Sequence, residues 1–121
     1  MEIGSEWLIE AGGCDEGALR DLELLRSLFG DVLRELDLHP LHEPAWHVFP
    51  GAGGITGFVM LSESHLACHT YPEHGIATIN LYCCRPRPSW PWEERLQALL
   101  GASDVRVRVV DRALAMENAP A

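Results

Sequence analysis

The sequence predicts an α/β (α+β) fold, a two-layer sandwich in which a mostly antiparallel sheet carries two helices on one face. Strand and helix patterns follow one another in the order β-α-β-β-β-β-α-β. The links between the middle strands are too short for the crossover helices that parallel pairing needs. At 121 residues, the chain is expected to form a single domain, 1–121.

The first part of the chain predicts a strand followed by a long helix. Residues 6–11 read as a strand that runs into a glycine pair. Asp15 is a good N-cap, and apolar residues then recur at spacings of three and four, which predicts an amphipathic helix over 16–36 despite Gly30. A loop bracketed by prolines follows at 39–44.

The second part is dominated by short strands. A proline-rich loop is predicted at 85–91, and a second helix over 91–100 begins at Pro91 and is closed by Gly101. Residues 116–121 (MENAPA) are expected to be a frayed tail. The predicted strands in this part are 46–49, 55–61, 65–71, 76–84 and 105–110.

Charge and hydropathy indicate which kinds of molecule the chain could bind. The formal net charge of −9 argues against nucleic acid and anionic membranes, and it suits a cationic small molecule. The whole net charge lies in residues 1–63, which contain twelve acidic residues and three arginines. Residues 64–121 contain six acidic residues and six arginines and are neutral overall. No apolar run approaches the ~18 residues of a membrane span, and the start of the chain has no basic segment of a secretory signal. We therefore expect a cytoplasmic protein.

The absence of lysine excludes an internal aldimine with pyridoxal phosphate, because that linkage needs a lysine amine. A reaction that uses a carbonyl group would then need one made from the chain itself, or a cofactor that is bound without a lysine linkage. The four cysteines contain no C-x-x-C pair, so we expect free thiols.

Alternation along the strands assigns side chains to the two faces of the sheet. In 76–84, the face with Cys83 is apolar and the face with Cys84 is more polar, so Cys84 is the better candidate for chemistry. The residues that could converge on one site away from the helices are Ser64, Thr56, His69 and Cys84.

Other interpretations of these residues stay open at this point. Ser64 could be a turn residue, and His65 and His69 could be surface or hydrogen-bonded interior histidines. A zinc site from His65, His69, His74 and a cysteine matches no standard ligand spacing, so we expect no metal. A serine hydrolase would need an elbow and an orienting acid, and neither is evident.

The stretch LSESHLACHTYPEHGIATINLYCC, residues 61–84, resembles the processing segment of the prokaryotic S-adenosylmethionine decarboxylase proenzymes. That family has a Glu-Ser-His junction, then His-Thr-aromatic-Pro-Glu, then a strand that ends in cysteine. The resemblance is densest over 54–84. It extends more weakly to WLIEAGGCD, to WHVFP and to the second helix.

The resemblance implies a self-processing, pyruvoyl-dependent carboxy-lyase. Ser64 would attack the carbonyl of Glu63, and the chain would break between them into 1–63 and 64–121. The new chain would begin with a pyruvoyl group that forms a Schiff base with the substrate. Thr56 matches the processing hydroxyl, His69 the processing base and Cys84 the proton donor.

The resemblance also implies a substrate and a partner. S-adenosylmethionine would bind through Glu73 at the ribose, Phe49 at the purine and His65 beside the cleavage position, and the product would serve spermidine and polyamine synthesis. A homodimer of processed protomers is expected, often with sites at the subunit contact.

Four positions depart from the family's usual residues: Thr56 replaces serine, Tyr71 tryptophan, Asn80 aspartate and Arg85 glycine. They leave two alternatives, a pyruvoyl-dependent decarboxylase of ornithine or arginine, and an unprocessed relative that binds or regulates without catalysis.

Overall fold

The computed structural model describes residues 2–113. A short 3₁₀ turn at Pro72–His74 joins two of the strands. The predicted tail at 116–121 lies outside the described residues. The helices and strands are β1 (Glu2–Gly12), α1 (Glu16–Leu19), α2 (Leu22–Glu35), β2 (Ala45–Val48), β3 (Ile55–Met60), β4 (His65–Tyr71), β5 (Ile76–Cys83), α3 (Trp92–Leu100) and β6 (Asp104–Ala113).

The six strands form one antiparallel sheet in the order β2-β3-β4-β5-β1-β6. The predicted α+β sandwich is therefore confirmed. The first strand lies between the last two, so that Ile9 of β1 is paired with Ile79 of β5 on one side and with Val107 of β6 on the other. Residues from both ends of the chain thus complete one half of the sheet.

The predicted single helix over 16–36 is two helices. Asp15 caps α1 as expected, because its carboxylate accepts a hydrogen bond from the Ala18 N–H at 3.0 Å. Asp21 then caps α2 by accepting from the Leu24 N–H at 3.1 Å. A second aspartate in a capping position is the local reason for the break.

One face of the sheet lies under the helices and forms the core. In β5 the side chains of Ala77, Ile79, Leu81 and Cys83 are buried, as the alternation predicted, whereas Thr78, Asn80 and Tyr82 on the other face are half-buried. The second face of the sheet, which we call the open face, carries polar side chains together with exposed Phe58 and Met60.

A glycine in β3 lets an indole lie over the sheet. A Cβ at Gly57 would meet the Trp46 ring at 2.3 Å, closer than side chains approach one another. The Trp46 ring packs on Phe29 of α2, with 4.7 Å between the ring centroids. Within residues 2–113, no helix has the length and apolar character to cross a membrane.

Candidate active site

Ser64 follows the turn between β3 and β4. The Leu61 N–H donates to the Ser64 carbonyl at 2.9 Å, which closes a tight hairpin with Ser62 and Glu63 at its tip. The tip is exposed and Ser64 is half-buried. The Glu63–Ser64 peptide bond therefore lies where the hairpin enters β4.

Ser64 lines a polar cavity of about 240 Å³, the Ser64 cavity, together with Glu63, Cys84 and Arg85. The Cys84 thiol donates to Glu63 Oε2 at 3.1 Å, and 3.8 Å separates Arg85 from Glu63 Oε1. The hydrogen bond to Glu63 raises the pKa of the Cys84 thiol, with smaller contributions from desolvation and from the charge of Glu63. Cys84 is therefore held as a thiol rather than a thiolate.

Cys83 lines the same cavity as its neighbour but is more deeply buried. Its side chain is 2% exposed in the core, and burial raises its pKa. The sequence preference for Cys84 over Cys83 thus agrees with their exposure. The other two cysteines, Cys14 and Cys68, are also buried, and burial raises the pKa of Cys68 to about 12.

A second cavity of about 450 Å³, the Thr56 cavity, is lined by Thr56, His69, Phe49, Tyr71 and Glu73 among others. Thr56 Oγ1 and His69 Nδ1 are 2.9 Å apart across β3 and β4. The processing hydroxyl and base that the resemblance implies are therefore hydrogen-bonded partners. The aromatic and acidic residues assigned to the substrate lie in the same cavity.

Thr70 anchors the strand ends beside the Thr56 cavity. Its buried hydroxyl accepts a hydrogen bond from the Ile55 N–H at 2.9 Å and donates to the Leu19 carbonyl at 2.8 Å. This side chain ties β3, β4 and α1 together beneath the neighbouring His69. Sequence alternation placed Thr70 on the apolar face but gave no sign of this bridge.

Within one copy, the four residues expected to converge do not form one site. Ser64 and Cys84 line one cavity, whereas Thr56 and His69 line the other. Ser64 and His69 are five positions apart in extended chain, which corresponds to roughly 16 Å along β4. Within one copy these residues therefore line two separate cavities, and the expected convergence is not seen there.

His65 follows Ser64 at the start of β4, and its ring lies on the open face. Its ring stacks between Phe58 and Tyr82, with centroid distances of 6.0 and 5.8 Å. His65 Nε2 is 2.7 Å from Asn80 Oδ1, and the Asn80 amide donates to Glu6 at 3.1 Å. The acceptor role of Asn80 Oδ1 requires that His65 Nε2 carries the proton.

Glu6 continues this chain of hydrogen bonds to the last strand, where Arg112 donates to it at 2.6 Å. The hydrogen bond from Asn80, followed by that from Arg112, holds the pKa of Glu6 below its usual value. Sequence reasoning missed Glu6 and Arg112, because their contacts depend on β1 lying between β5 and β6. Among residues 2–113, no three His, Cys, Asp or Glu side chains are grouped closely enough to hold a metal ion.

The chain is similar to known proteins over most of its length. The model of the family "S-adenosylmethionine decarboxylase" matches residues 5–113, which is nearly all of the described chain. The chain belongs to the S-adenosylmethionine decarboxylase family. The resemblance seen in residues 61–84 is thereby confirmed.

Two relatives in this family are proteins named S-adenosylmethionine decarboxylase proenzyme. The one from Geobacillus sp. (strain WCH70) is 39% identical over 82 residues, spanning 68% of this chain and 64% of its own length. The proenzyme 2 of Halalkalibacterium halodurans is 39% identical over 85 residues, spanning 70% of this chain and 65% of its own length. The match thus spans slightly less than two thirds of each relative.

A solved structure, the adenosylmethionine decarboxylase of Aquifex aeolicus, shares the fold. It covers 93% of this chain and 92% of its own, with a TM-score of 0.75 and 24% identity. The family implies a pyruvoyl group, and the residues of the Ser64 cavity fit one. A serine that could supply it and a thiol that could donate a proton line the same cavity.

Proposed function

We propose that this chain is a self-processing, pyruvoyl-dependent decarboxylase of S-adenosylmethionine. Its product, decarboxylated S-adenosylmethionine, would supply aminopropyl groups for spermidine and polyamine synthesis in the cytoplasm. The observation that carries the proposal is the Ser64 cavity, where Ser64, Glu63 and Cys84 meet. Membership of the family and the names of the relatives support the same activity.

Processing would cut the single domain 1–121 between Glu63 and Ser64. Ser64 Oγ attacks the Glu63 carbonyl, and the peptide becomes an ester as the bond to the Ser64 nitrogen breaks. A base then removes the proton on Cα of Ser64. The bond between Cβ and Oγ of Ser64 breaks, and Glu63 leaves with a free carboxylate that contains this oxygen. Water releases ammonia from the resulting dehydroalanine, which gives chains 1–63 and 64–121, the second beginning with pyruvoyl.

His69 and Thr56 are the residues proposed to assist this cut. The imidazole of His69 would take the Cα proton, and the Thr56 hydroxyl would donate to the oxygen that gains charge during the acyl shift. Their 2.9 Å contact supports the assignment, because each orients the other. Their distance from Ser64 within a copy means that a second copy has to supply them.

We therefore propose a homodimer that joins the Ser64 cavity of one copy to the Thr56 cavity of its partner. The Thr56 cavity borders the open face through Thr56 and His69, and that face exposes Phe58 and Met60 at 41% and 46%. Apolar side chains of this size are the ones that subunit contacts bury. The arrangement is symmetric, so that a dimer would contain two complete sites.

The Thr56 cavity is the proposed substrate subsite. Its volume of about 450 Å³ lies within the range of cavities that hold small ligands. Glu73 would accept hydrogen bonds from the ribose hydroxyls and Phe49 would stack on the purine, while His65 would contact the substrate between the two cavities. The sulfonium cation suits the net charge of −9.

In turnover, a pyruvoyl group supplies a carbonyl that combines with the substrate amine and draws electrons as CO₂ leaves. Cys84 would then return a proton to the carbon that lost CO₂. The names of the relatives give no support to ornithine or arginine as the substrate, nor to an unprocessed binding protein.

The test combines intact mass with CO₂ release. The purified wild-type chain should give two masses, corresponding to 1–63 and 64–121, and should release CO₂ from carboxyl-labelled S-adenosylmethionine. Ser64→Ala should remain one chain, whereas Cys84→Ala should still cleave and lose most of its turnover. A single full-length mass after long incubation, or CO₂ from ornithine or arginine instead, would contradict the proposal.

A further inference from the structure

The side chain of Glu63 contacts the proposed proton donor. The two carboxylate oxygens have separate partners, since Oε2 accepts from the Cys84 thiol at 3.1 Å and Oε1 lies 3.8 Å from the Arg85 guanidinium. The proposed cleavage uses only the backbone carbonyl of Glu63, so this contact has no part in it. The side chain also stays on Glu63 after the chain is cut.

The other titratable and charged groups around this contact come from two loops and from the end of β5, where the Cys83 thiol lines the same cavity. Asp37 and His39 line the Ser64 cavity from the loop after α2, and Arg87 lines it from the proline-rich loop. Asp37 and His39 are 3.6 Å apart and form their own pair. Glu63 is therefore the carboxylate that contacts the thiol.

A carboxylate next to a thiol has two consequences. An ionised carboxylate only accepts hydrogen bonds, so the contact requires the proton to be on sulfur and directs the S–H bond along the line to Glu63. Loss of that proton would place a thiolate against a carboxylate, which the charges oppose, and the pKa of Cys84 is raised accordingly. Arg85 acts in the opposite direction and limits the rise.

We propose that Glu63 is a positioning residue for Cys84, and that its carboxylate keeps the proton on the sulfur while Arg85 balances the carboxylate's charge. The inference rests on the proposed function, in which Cys84 is the proton donor. In that step the S–H bond breaks, a C–H bond forms at the carbon that lost CO₂, and the thiolate is reprotonated from water. Glu63 favours the thiol, so the donor is restored before the next turnover.

Arg85 has a defined part in this arrangement. It stands where the family usually has glycine, and it brings a positive charge beside a carboxylate that would otherwise lie alone against the thiol. Without Arg85, the carboxylate would oppose the thiolate more strongly and slow the release of the proton. The departure at this position therefore adjusts the proton donor, and it requires no change of substrate.

The experiment measures the thiol directly in the uncleaved Ser64→Ala chain, so that neither processing nor turnover is needed. Iodoacetamide reacts with thiolates, and the rate of Cys84 alkylation is followed by mass spectrometry from pH 6 to pH 10. Cys14, Cys68 and Cys83 are buried and should react slowly. In this background, Glu63→Gln should shift the profile to lower pH and speed alkylation at pH 7.5 about threefold or more.

Two further variants bracket the result. Arg85→Ala should shift the profile to higher pH, because it removes the charge that favours the thiolate. Asp37→Asn is the matched control, since it removes a carboxylate from the same cavity without removing the one that contacts Cys84. Its profile should equal that of the parent chain. Identical profiles for Glu63→Gln and the parent would overturn the inference.

The processed enzyme gives the second readout. With Ser64 intact, Glu63→Gln should move the alkaline limb of the kcat profile to lower pH and leave KM within about twofold. An active wild type with unchanged profiles in Glu63→Gln would overturn this inference alone. A wild type that cleaves but releases no CO₂ would overturn the proposed function and the role of Glu63 in it, even if the alkylation profiles moved.

Discussion

Thr56 Oγ1 and His69 Nδ1 lie 2.9 Å apart on the open face, as a directly opposed pair of β3 and β4. The bond fixes the rotamers of both side chains before any substrate or partner copy arrives. The pair is built on two neighbouring strands, and strands hold side chains more precisely than loops do.

Two substitutions at Thr56 should distinguish the effect of its hydroxyl group on cleavage from the effect of its side-chain shape. Thr56→Ser keeps the donor and should be cleaved at a rate within about threefold of wild type, whereas Thr56→Val keeps the shape and should slow cleavage roughly 100-fold or more. The cleaved fraction is followed by intact mass after rapid purification. Equal cleavage of Thr56→Val and wild type would show that the hydroxyl has no part in processing.

Two inactive variants should rescue each other if a complete site joins the Ser64 cavity of one copy to the Thr56 cavity of another. Ser64→Ala and His69→Ala should each remain uncleaved when made alone. When both are made in one cell, a mixed dimer joins the intact Ser64 of the His69→Ala copy to the intact His69 of the other copy. We expect cleavage of the His69→Ala copy only, seen as its two fragment masses.

A site contained within one copy gives a different outcome for that mixture. No copy would then carry both residues, and neither mass would change. Co-expression of Ser64→Ala with a His69→Ala, Ser64→Ala double variant provides the control, because that mixture has no intact serine and should never be cleaved.

The hydrogen bonds of Glu6 should make the stability of the fold depend on pH. The pKa of Glu6 is lowered from 4.5 in the folded chain, so its stabilisation is fully present above the unfolded value and is lost as the pH falls through the folded one. Glu6→Gln should therefore lower the free energy of unfolding by about 1 kcal/mol at pH 7, and by less at pH 3. Urea unfolding at both values measures the difference.

A neighbouring glutamate on the same strand serves as the comparison for Glu6. Glu10 pairs with Arg108 at 2.9 Å, but its side chain is 43% exposed and no amide from β5 donates to it. Glu10→Gln should change the free energy of unfolding by less than about 0.5 kcal/mol at either pH. An equal effect of the two variants at pH 7 would contradict the role given to Asn80 and Arg112.

Two glycines should respond oppositely to alanine. Gly57→Ala would place a methyl group 2.3 Å from the Trp46 ring and should destabilise the fold by about 1–3 kcal/mol. Gly30→Ala, in the middle of α2, meets no atom within 4 Å and should stabilise it by about 0.5–1 kcal/mol. Thermal or urea unfolding of the two variants gives the sign, and a stable Gly57→Ala would mean that the indole can move aside.

Local patterns were enough to predict most of the fold. The bounds of β4 agree with the prediction residue for residue, because its alternation is uninterrupted and glycine or turn residues flank it. The division of β5 into an apolar and a polar face was also confirmed. The helix break at Asp21 was missed because the apolar spacing continues across it, and periodicity alone does not reveal a cap.

Long-range placement was beyond local patterns. Nothing near Glu6 predicts that β1 lies between β5 and β6, so the hydrogen bonds from Asn80 and Arg112 could not be foreseen. The contact between Glu63 and Cys84 joins residues 21 positions apart that lie just beyond the paired ends of β4 and β5, and it depends on the register of that pair. The separation of Ser64 from His69 follows from strand length, but face alternation alone suggested convergence.

The strand order has a further consequence for a chain cut after Glu63. β1, β2 and β3 would belong to the first product and β4, β5 and β6 to the second, so that β3 pairs with β4, and β1 lies between β5 and β6, across the two products. The two polypeptides would share one sheet and would stay associated in the folded state. Refolding after denaturation would then require two molecules to meet, and the unfolding midpoint would rise with protein concentration.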